Sequence, residues 1–412
     1  MDNLKQFITK LYGQKNADFQ YQRYIEIGKK FEQKYGEYDL FVSSSGRIEI
    51  CGNHTDHNHG VALASGIDLD TVGAVKKENS NVITIDSEGY SPVTVDITNL
   101  DKKADEEGTS IALTKGICRL LVDKGYQIGG FTAYTQSRVF KGAGVSSSAS
   151  FELLIGKILS ALYNDDKISA EELIQGAHFA ENVYFGKPCG LLDQTAIGMG
   201  GISYIDFFNP AEPEVEKIEV DFDNLSIVLV NTGGDHSDLT GAYADVRGEM
   251  ESIANHFGKS YLKEVKREDF LAELPVLCEK FSGRCVMRAE HFFRENDRVE
   301  RAKTALLNKN FNEFYQIINE SGDSSYKLLQ NCYVEGDRAQ RIPLALCVAD
   351  NLDGIYAKRV HGGGFAGTVI LFVNAQKSEG VISGMSKIFG NENVFSLNVR
   401  KYGPMAINKE NL

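Results

Sequence analysis

Residues 141–149 read KGAGVSSSA and lie between a predicted strand at 130–135 and a predicted helix that begins near residue 147. Glycine lets the backbone approach an anion closely and adopt a positive φ. The first-turn amides of a helix point at whatever lies before them, and the helix dipole favours negative charge there. The three serines add hydrogen-bond donors and candidate magnesium ligands. The segment therefore predicts an anion-binding turn, although it is not a Walker loop because no Gly-Lys-Ser/Thr ends it.

The helix after this turn has a clear apolar face. Apolar residues recur at three- and four-residue intervals, at positions 151, 154, 155, 158, 159 and 162, which places them on one side. The serines at 146–148 can cap its N-terminus. A glycine-rich turn with serine caps would explain the segment without any ligand. The turn alone leaves both interpretations open.

Size and charge limit the function classes. The chain has 412 residues, of which 42% are hydrophobic and 25% charged. This is ordinary for a globular protein and long enough to predict two domains. The net charge of −13 argues against non-specific binding to nucleic acid or to an anionic membrane. A phosphorylated ligand would need a local site.

Cysteine usage and the N-terminal sequence suggest a compartment. Seven cysteines are scattered without CxxC spacing, so neither a zinc ribbon nor a thioredoxin motif is expected. Reduced thiols in a cytoplasmic protein are the simplest interpretation. The first residues lack the apolar run of a signal peptide, and no apolar stretch reaches the roughly 20 residues of a membrane helix. We expect a cytoplasmic protein that is not in a membrane.

Strands and helices are interleaved in both halves of the chain, and we predict two domains, 1–206 and 207–412. A capping box predicts a helix start at Ser169, because Glu172 follows three residues later. The other predicted elements are one or two helices in 1–35, strands at 38–43, 82–86, 93–97, 226–231 and 368–373, and several helices between 240 and 355.

A polar loop follows the first predicted strand. Residues 46–60 read GRIEICGNHTDHNHG and bring Asn53, His54, Asp56 and His57 into five positions. Such side chains suit the adjacent hydroxyls of a sugar, each of which donates and accepts hydrogen bonds. Two alternatives stay open from the residues alone. Asp56 with the histidines, including His59, could bind a transition metal, or the segment could be a polar turn.

Two later segments carry further polar or glycine-rich patterns. Glu181 and the segment PCGLLDQ, with Asp193, place carboxylates in a mainly apolar neighbourhood, where a charge is costly unless it is used or paired. A helix cap is the simpler interpretation of Asp193. Residues 360–367 read VHGGGFAG and suit a loop packed against a ligand, or a tight hairpin.

Together these segments resemble the GHMP kinases, and among them most closely the galactokinases. GRIEICGNHTDH, GAGVSSSAS and GGGFAG occur in the family's order. PCGLLDQ is similar to the segment with the catalytic aspartate, and NTGGDHSDLTGAYADVR to a stretch that contributes a sugar-contacting tyrosine. The resemblance spans roughly residues 38–375. It implies an α/β N-terminal domain with a left-handed βαβ phosphate-loop unit, a ferredoxin-like α+β C-terminal domain, and an active site in the cleft between them.

The resemblance implies phosphorylation of the anomeric hydroxyl of a free sugar by ATP with Mg²⁺, galactose being the favoured acceptor. Arg47 would stabilise developing charge, and Asp193 would accept or orient the hydroxyl proton. The remaining implied roles are sugar binding by Asn53, His54, Asp56 and Tyr243; ATP binding by Gly142, Ala143, Gly144, Val145, Ser146, Ser147 and Ser148; magnesium binding by Ser148 and Glu181; and shaping of the cleft by Gly363, Gly364 and Gly367.

Departures from the family pattern bear on the acceptor. Galactokinases usually carry Glu at the position of Asn53 and Tyr at that of His57, and a His-containing form where this chain has SGDSS at 321–325. Galacturonate or an amino sugar is therefore an alternative acceptor. A non-catalytic sugar and ATP sensor is a further alternative, disfavoured because Arg47, Asp193 and the serine turn are all present. We expect sugar and ATP as partners, no nucleic acid, and a monomer or weak homo-oligomer.

Overall fold

A computed structural model describes residues 3–140, 144–187, 189–210, 212–222, 224–234, 240–365 and 367–411. Within these ranges helices and strands alternate around two sheets. The first half contains α1 Asn3–Tyr35, β1 Leu40–Cys51, β2 Val61–Lys77, β3 Val82–Ser87, β4 Val93–Asp96, α2 Ser110–Asp123, β5 Phe131–Ser137, α3 Ser147–Tyr163, α4 Ala170–Phe179, α5 Leu192–Met199 and β6 Ile202–Asp206. The second half contains β7 Glu214–Ile218, β8 Leu225–Asn231, α6 Thr240–His256, α7 Arg267–Ala272, α8 Leu274–Lys280, α9 Gly283–Leu307, α10 Phe311–Ser324, α11 Arg341–Asp350, β9 Ile355–His361, β10 Thr368–Asn374, α12 Ser378–Phe389, β11 Val394–Leu397 and β12 Met405–Asn408.

The larger sheet is built on the long strands β1 and β2. Its strand order is β12-β1-β2-β5-β3-β4, while β6 pairs with β2, and β7 with β6. The pairs are antiparallel except β3 with β5, which run parallel. The register between β1 and β2 shifts twice, between Ser45 and Arg47 and between Glu49 and Cys51. Such irregularities bend a strand and re-aim its side chains, and these two flank Arg47.

The smaller sheet has the order β11-β8-β10-β9 and is antiparallel throughout. Numbered along the chain, its strands stand in the order 4-1-3-2, and helices separate the first strand from the second and the third from the fourth. This is the βαββαβ arrangement of a ferredoxin-like sheet. The α+β expectation for the C-terminal half is confirmed.

The described residues form five apolar clusters, and three of them involve the larger sheet. Helices α2 to α5 pack on one face of the larger sheet, and α1 packs against side chains of β1, β2 and β5. A third cluster joins Ile48 and Leu63 of the larger sheet to Leu229 and Ile370 of the smaller one. The two sheets therefore share a core, and the polar loop after β1 lies close to their junction.

Most predicted elements are confirmed, with a few differences. The N-terminal helix is interrupted at Gly13, whose φ is +74°, and the Ser169 capping box is present. The first strand runs on to Cys51, well past residue 43. The proposed capping by Ser146 is wrong, because its side chain makes no capping hydrogen bond and is used elsewhere. No helix in the described ranges is both long and apolar enough to cross a membrane.

The division at residue 206 stays a prediction, and so does the handedness of the crossover around the phosphate turn. The described strands show that the two halves are interwoven. Strands β7 and β12 lie beyond residue 206 in sequence, yet both belong to the larger sheet. The second half of the chain therefore contributes two strands to the sheet that the first half builds.

Candidate active site

The glycine–serine turn reaches the start of α3 with two residues in the left-handed region. Gly144 has φ +67° and Ser146 has φ +62°, a conformation that costs energy for a non-glycine residue and is typical of functional turns. Val145 is buried, and its carbonyl accepts a hydrogen bond from the Arg47 amide at 3.2 Å. Ser147 is the first residue of α3 and is half-buried. The predicted contacts of Gly142 and Ala143 lie outside the described residues.

Arg47 and Asp193 meet at this helix start. Nε of Arg47 donates to Oδ1 of Asp193 at 2.6 Å, and Nη1 of Arg47 donates to the Gly144 carbonyl. The Ser146 hydroxyl donates to Oδ2 of Asp193. Asp193 lies in the first turn of α5, so β1, α3 and α5 each supply one side chain. The two residues expected to be catalytic are therefore together at the phosphate turn.

The carboxyl group of Asp193 is held in its ionised form. Burial alone raises the pKa of Asp193. The charge of Arg47 and the hydrogen bonds from Arg47 and Ser146 outweigh burial and hold the pKa below its ordinary value. About a third of the Asp193 side chain is exposed, compared with a tenth of Arg47. The arrangement therefore presents a charged oxygen at the surface of the cleft, supported from behind by a guanidinium.

Glu181 lies beside the N-terminus of α3, in a π-turn at Ala180–Tyr184 that follows α4. Such turns are frequent at functional sites. Its buried Oε1 accepts from the Ser148 hydroxyl at 3.1 Å and from Lys187 Nζ at 2.9 Å. Its Oε2 accepts from Gln194 Nε2 at 2.7 Å. The predicted magnesium pair, Ser148 and Glu181, is thus in direct contact.

A second buried carboxylate behind Glu181 has no counterpart in the sequence analysis. Glu152 of α3 has no exposed surface, and its Oε2 lies 3.4 Å from Nε2 of Gln194. Its Oε1 has no hydrogen-bond partner among the described residues. Burial and then the charge of Glu181 raise the pKa of Glu152. A glutamate among the apolar residues that start α3 was the available signal.

The amide of Asn53 faces the protein interior. Its Nδ2 donates to Oε1 of Glu49 at 3.0 Å and to the Gly362 carbonyl at 2.7 Å. Its Oδ1 accepts from Ser325 at 3.2 Å and from Asn331 at 2.8 Å. An amide has two donor hydrogens and two acceptor lone pairs, so all four positions are used. The geometry offers no support for a direct sugar contact by Asn53 and favours a positioning role.

His54 and His57 form a chain of hydrogen bonds whose direction is fixed. Nε2 of His54 lies 3.0 Å from the Gly363 carbonyl, which can only accept, so this nitrogen carries the proton. Nδ1 of His54 then accepts from Nε2 of His57 at 3.2 Å, and Nδ1 of His57 accepts from the Asn58 amide at 3.0 Å. Burial lowers the pKa of His54 to about 4. Both rings are therefore neutral.

Asp56 lies on the cleft side of the same loop. It is half-buried, and a Cβ added to Gly190 would lie 2.7 Å from its Oδ2, so Asp56 packs against the segment that leads to Asp193. Burial, reinforced by the negative charge of Asp193, raises the pKa of Asp56. Of the predicted sugar-binding residues in this loop, Asp56 is the one next to the Arg47–Asp193 pair.

The glycine turn between β9 and β10 joins α6 to the sugar loop, which is the polar loop at residues 52–60 between β1 and β2. A Cβ on Gly364, whose φ is +79°, would lie 2.2 Å from the Asn331 carbonyl. A Cβ on Gly363 would lie 2.4 Å from Cε1 of Tyr243, whose hydroxyl donates to the Gly364 carbonyl at 3.0 Å. Gly367 accepts from the Thr232 amide at 2.8 Å. The glycines thus permit close packing that any side chain would prevent.

His361 connects this turn to the phosphate turn, and the sequence analysis assigned it no role. Its Nε2 accepts from the Glu49 amide at 3.1 Å, and its Nδ1 lies 3.0 Å from the Thr368 hydroxyl. A Cβ on Gly144 would lie 3.0 Å from that hydroxyl oxygen. The available signal was a histidine directly before a run of three glycines. The three glycine-rich motifs therefore converge around one cleft.

Comparison with known proteins agrees with these motifs. The galactokinase galactose-binding signature matches residues 29–77, and the GHMP kinases N terminal domain matches residues 112–201. The galactokinase of Clostridium tetani is 31% identical over 85% of this chain and 88% of its own length. The galactokinase of Pyrococcus furiosus is 31% identical over 82% of this chain and 90% of its own length.

Solved structures show the same fold. The Lactococcus lactis galactokinase complexed with galactose superposes with a TM-score of 0.79 at 24% identity, and covers 93% of this chain and 99% of its own. A mevalonate kinase superposes with a TM-score of 0.63 at 17% identity, over 88% of this chain and 99% of its own. The fold expected from the motifs is therefore the one these kinases share.

Proposed function

Because this chain belongs to the galactokinase family of the GHMP kinases, we propose that it transfers the γ-phosphoryl group of ATP to the anomeric hydroxyl of galactose. The observation that carries the proposal is the meeting of Arg47, Asp193 and Ser146 at the N-terminus of α3. Phosphoryl transfer depends mainly on positioning and on neutralising charge, and this arrangement supplies both.

Asp193 orients the acceptor hydroxyl. Its ionised carboxylate accepts a hydrogen bond from the hydroxyl that attacks the phosphorus, and the proton moves towards it as the new P–O bond forms. Arg47 keeps Asp193 fixed and ionised, and its positive charge lies beside the phosphate turn, where negative charge develops. The exposed part of the Asp193 side chain leaves room for the sugar.

The phosphates of ATP bind at the glycine–serine turn, of which the structure describes residues 144–148. Backbone amides at the start of α3 and the hydroxyl of Ser147 supply donors for phosphate oxygens. Asp193 already accepts the hydrogen of Ser146 and Glu181 that of Ser148, so the Ser147 hydroxyl is the one left to donate to ATP, while the lone pairs of Ser148 can bind a metal ion. Gly363 and Gly364, which follow β9, lie on the side of the cleft formed by the smaller sheet.

Ser148 and Glu181 fit a magnesium ion. Their oxygens are 3.1 Å apart, close to the ~2.9 Å expected between neighbouring oxygens of an octahedral magnesium site. Lys187 shares the same Glu181 oxygen and would be displaced or would turn to the phosphates. A magnesium ion held there would neutralise charge on the phosphate oxygens of ATP.

The loop after β1 reads the sugar through Asp56, with Tyr243 on the facing helix. His54 and Asn53 act behind it, because their hydrogen bonds run to Gly363 and to buried polar groups. The seven free cysteines support a reducing compartment such as the cytoplasm.

One assay tests the proposed function. Purified protein is incubated with ATP, magnesium and a panel of free sugars that includes galactose, galacturonate and an amino sugar, and ADP release is followed. We expect turnover on galactose with the phosphate on the anomeric oxygen. Turnover on galacturonate alone would show that galacturonate, and not galactose, is the acceptor. Binding without turnover would overturn the enzymatic assignment.

A further inference from the structure

A polar cavity lies outside the candidate active site, behind the sugar loop. It has a volume of about 320 Å³ and opens between α9, α10 and the π-turn Ser325–Leu329. The lining includes Arg294, Arg298, Glu320, Asp323, Ser324 and Lys327. None of these residues belongs to the proposed catalytic site.

A buried guanidinium forms the floor of this cavity. Only 8% of the Arg298 side chain is exposed. Its Nε donates to Oε2 of Glu295 at 2.7 Å, but its Nη2 is buried and has no hydrogen-bond partner among the described residues. An unpaired buried donor on a charged group is costly. An acceptor from outside the chain would remove that cost.

Two cations stand at the rim. Arg294, one turn before Arg298 on α9, is half-exposed, and two thirds of Lys327 is exposed. The two carboxylates of the lining are already paired, Glu320 with Arg301 at 2.8 Å and Asp323 with Lys327 at 2.7 Å. Exposed pairs of this kind are weak and rearrange readily. Arg294 is paired in the same way with Glu290, so a bound anion would draw Arg294 and Lys327 away from these partners.

We infer that this cavity binds a compact phosphate group, either inorganic phosphate or a small phosphate monoester. Arg298 offers the planar, forked donors that match phosphate oxygens, and Lys327 and Arg294 add charge from the rim. A longer nucleotide is not required to satisfy these groups.

The cavity is connected to the sugar loop by two short paths. Oε1 of Glu295, the partner of Arg298, accepts from the amides of Gly52 at 3.0 Å and Asn53 at 3.3 Å. Ser324 lies 2.8 Å from Nδ1 of His291, and Nε2 of His291 donates to the Asn53 carbonyl at 2.9 Å. Phosphate at Arg298 competes with Glu295 for the guanidinium and changes the support of this loop. We expect bound phosphate to weaken sugar binding, and this expectation rests on the proposed function.

Direct binding tests the site without relying on catalysis. Titration of inorganic phosphate is followed by calorimetry with galactose and a non-hydrolysable ATP analogue present to fill the active site. We expect one phosphate per chain. The double variant R294Q/K327Q should weaken binding about tenfold or more, because it removes two charge-assisted contacts. The matched control K280Q/K387Q removes two exposed cations elsewhere and should bind as the unmodified protein does. Equal weakening in both double variants, or no binding to the unmodified protein, overturns the site.

Two further measurements identify the source of the phosphate group and test the coupling between the cavity and the sugar site. Glucose 6-phosphate replaces inorganic phosphate in the titration, and tighter binding of one of them identifies the source. In the kinase assay phosphate should raise the KM for galactose in the unmodified protein and leave it unchanged in R294Q/K327Q. Phosphate binding with an unaffected KM overturns the coupling. Binding without any kinase activity leaves the site standing and overturns the proposed function instead.

Discussion

Nε of Arg47 lies 2.6 Å from Oδ1 of Asp193 although 146 positions separate the two residues in sequence. The pair is supported at both ends, because Arg47 also donates to the Gly144 carbonyl and Asp193 also accepts from Ser146. A guanidinium and a carboxylate fixed in this way keep each other charged. The acceptor hydroxyl therefore meets an ionised carboxylate whose position is set before the substrates bind.

Replacing Asp193 by Asn should abolish most turnover while the fold survives. Asparagine has almost the same shape and still accepts from Arg47, but it takes up no proton and carries no charge. We expect kcat to fall about 10²–10⁴-fold with little change in the KM for galactose. ADP release measures the kinetics, and thermal unfolding checks the fold. D353N, an exposed aspartate paired with Lys377, is the matched control, and turnover within a few-fold of normal in D193N would remove the assigned role.

Replacing Glu181 by Gln should raise the magnesium requirement. The amide keeps one oxygen near Ser148 but loses the charge that attracts the cation. We expect the magnesium concentration at half-maximal rate to rise about tenfold or more, as for the loss of partners that support metal ligands. Rates are measured against magnesium at saturating ATP and galactose. E171Q, on the exposed first turn of α4, should show the unmodified profile, and an unchanged requirement in E181Q would exclude Glu181 as a ligand.

The sequence predicts best those features whose signals are local. The apolar spacing of α3 and the Ser169 capping box each depend on residues within a few turns, and both were predicted. The fold was implied by the resemblance that five motifs in the family's order carry, and the solved structures of related kinases show the same fold. The strand beyond residue 43 was less clear, because β1 bends at two register shifts and carries serines and a glycine.

Polar contacts inside the site could not be predicted in the same way. Glu49 pairs with Arg359 across 310 positions, and Glu152 meets Glu181 through Gln194. Nothing in the local sequence distinguishes a buried, paired glutamate from an exposed one. The interior position of Asn53 also depends on Ser325 and Asn331, more than 270 positions away. Only the fold brings such partners together.

Replacing Asn53 by Ala should lower the free energy of unfolding more than it weakens sugar binding. The change removes the buried partner of the Ser325 hydroxyl and of the Gly362 carbonyl, and one of the two hydrogen bonds of the Asn331 amide. We expect a loss of about 3 kcal/mol or more in the free energy of unfolding, since each unpaired buried group costs ~1–3 kcal/mol. Urea unfolding measures this, with the exposed Asn391 replaced by Ala as control. Unchanged stability together with a strongly raised KM for galactose would instead mean that Asn53 binds the sugar directly.

His291 makes stability depend on pH in a defined direction. Its Nε2 donates to the Asn53 carbonyl at 2.9 Å, so its Nδ1 accepts from Ser324 and the ring is neutral. Burial lowers the pKa of His291 to about 4, whereas an unfolded histidine titrates near ~6.5. Between these values the unfolded chain binds more protons than the folded one. Stability therefore falls as the pH is lowered from about 6.5 towards 4.

Replacing His291 by Gln should reduce this pH dependence. Glutamine can still donate to the Asn53 carbonyl but does not titrate, so the variant lacks one source of acid sensitivity. His291 alone accounts for a loss of about 3 kcal/mol across its window, at ~1.4 kcal/mol per pKa unit; His54, whose pKa is also lowered to about 4, adds a loss of the same sign. We expect H291Q to be less stable than the unmodified protein at pH 7 and the difference to narrow as the pH falls through 6 to 5. Urea unfolding at a series of pH values measures this, with the exposed, non-titrating Asn391 replaced by Ala as the control that keeps the unmodified slope. A difference that stays constant over that range would show that His291 does not gain a proton on unfolding and that its neutral form is not what the fold requires.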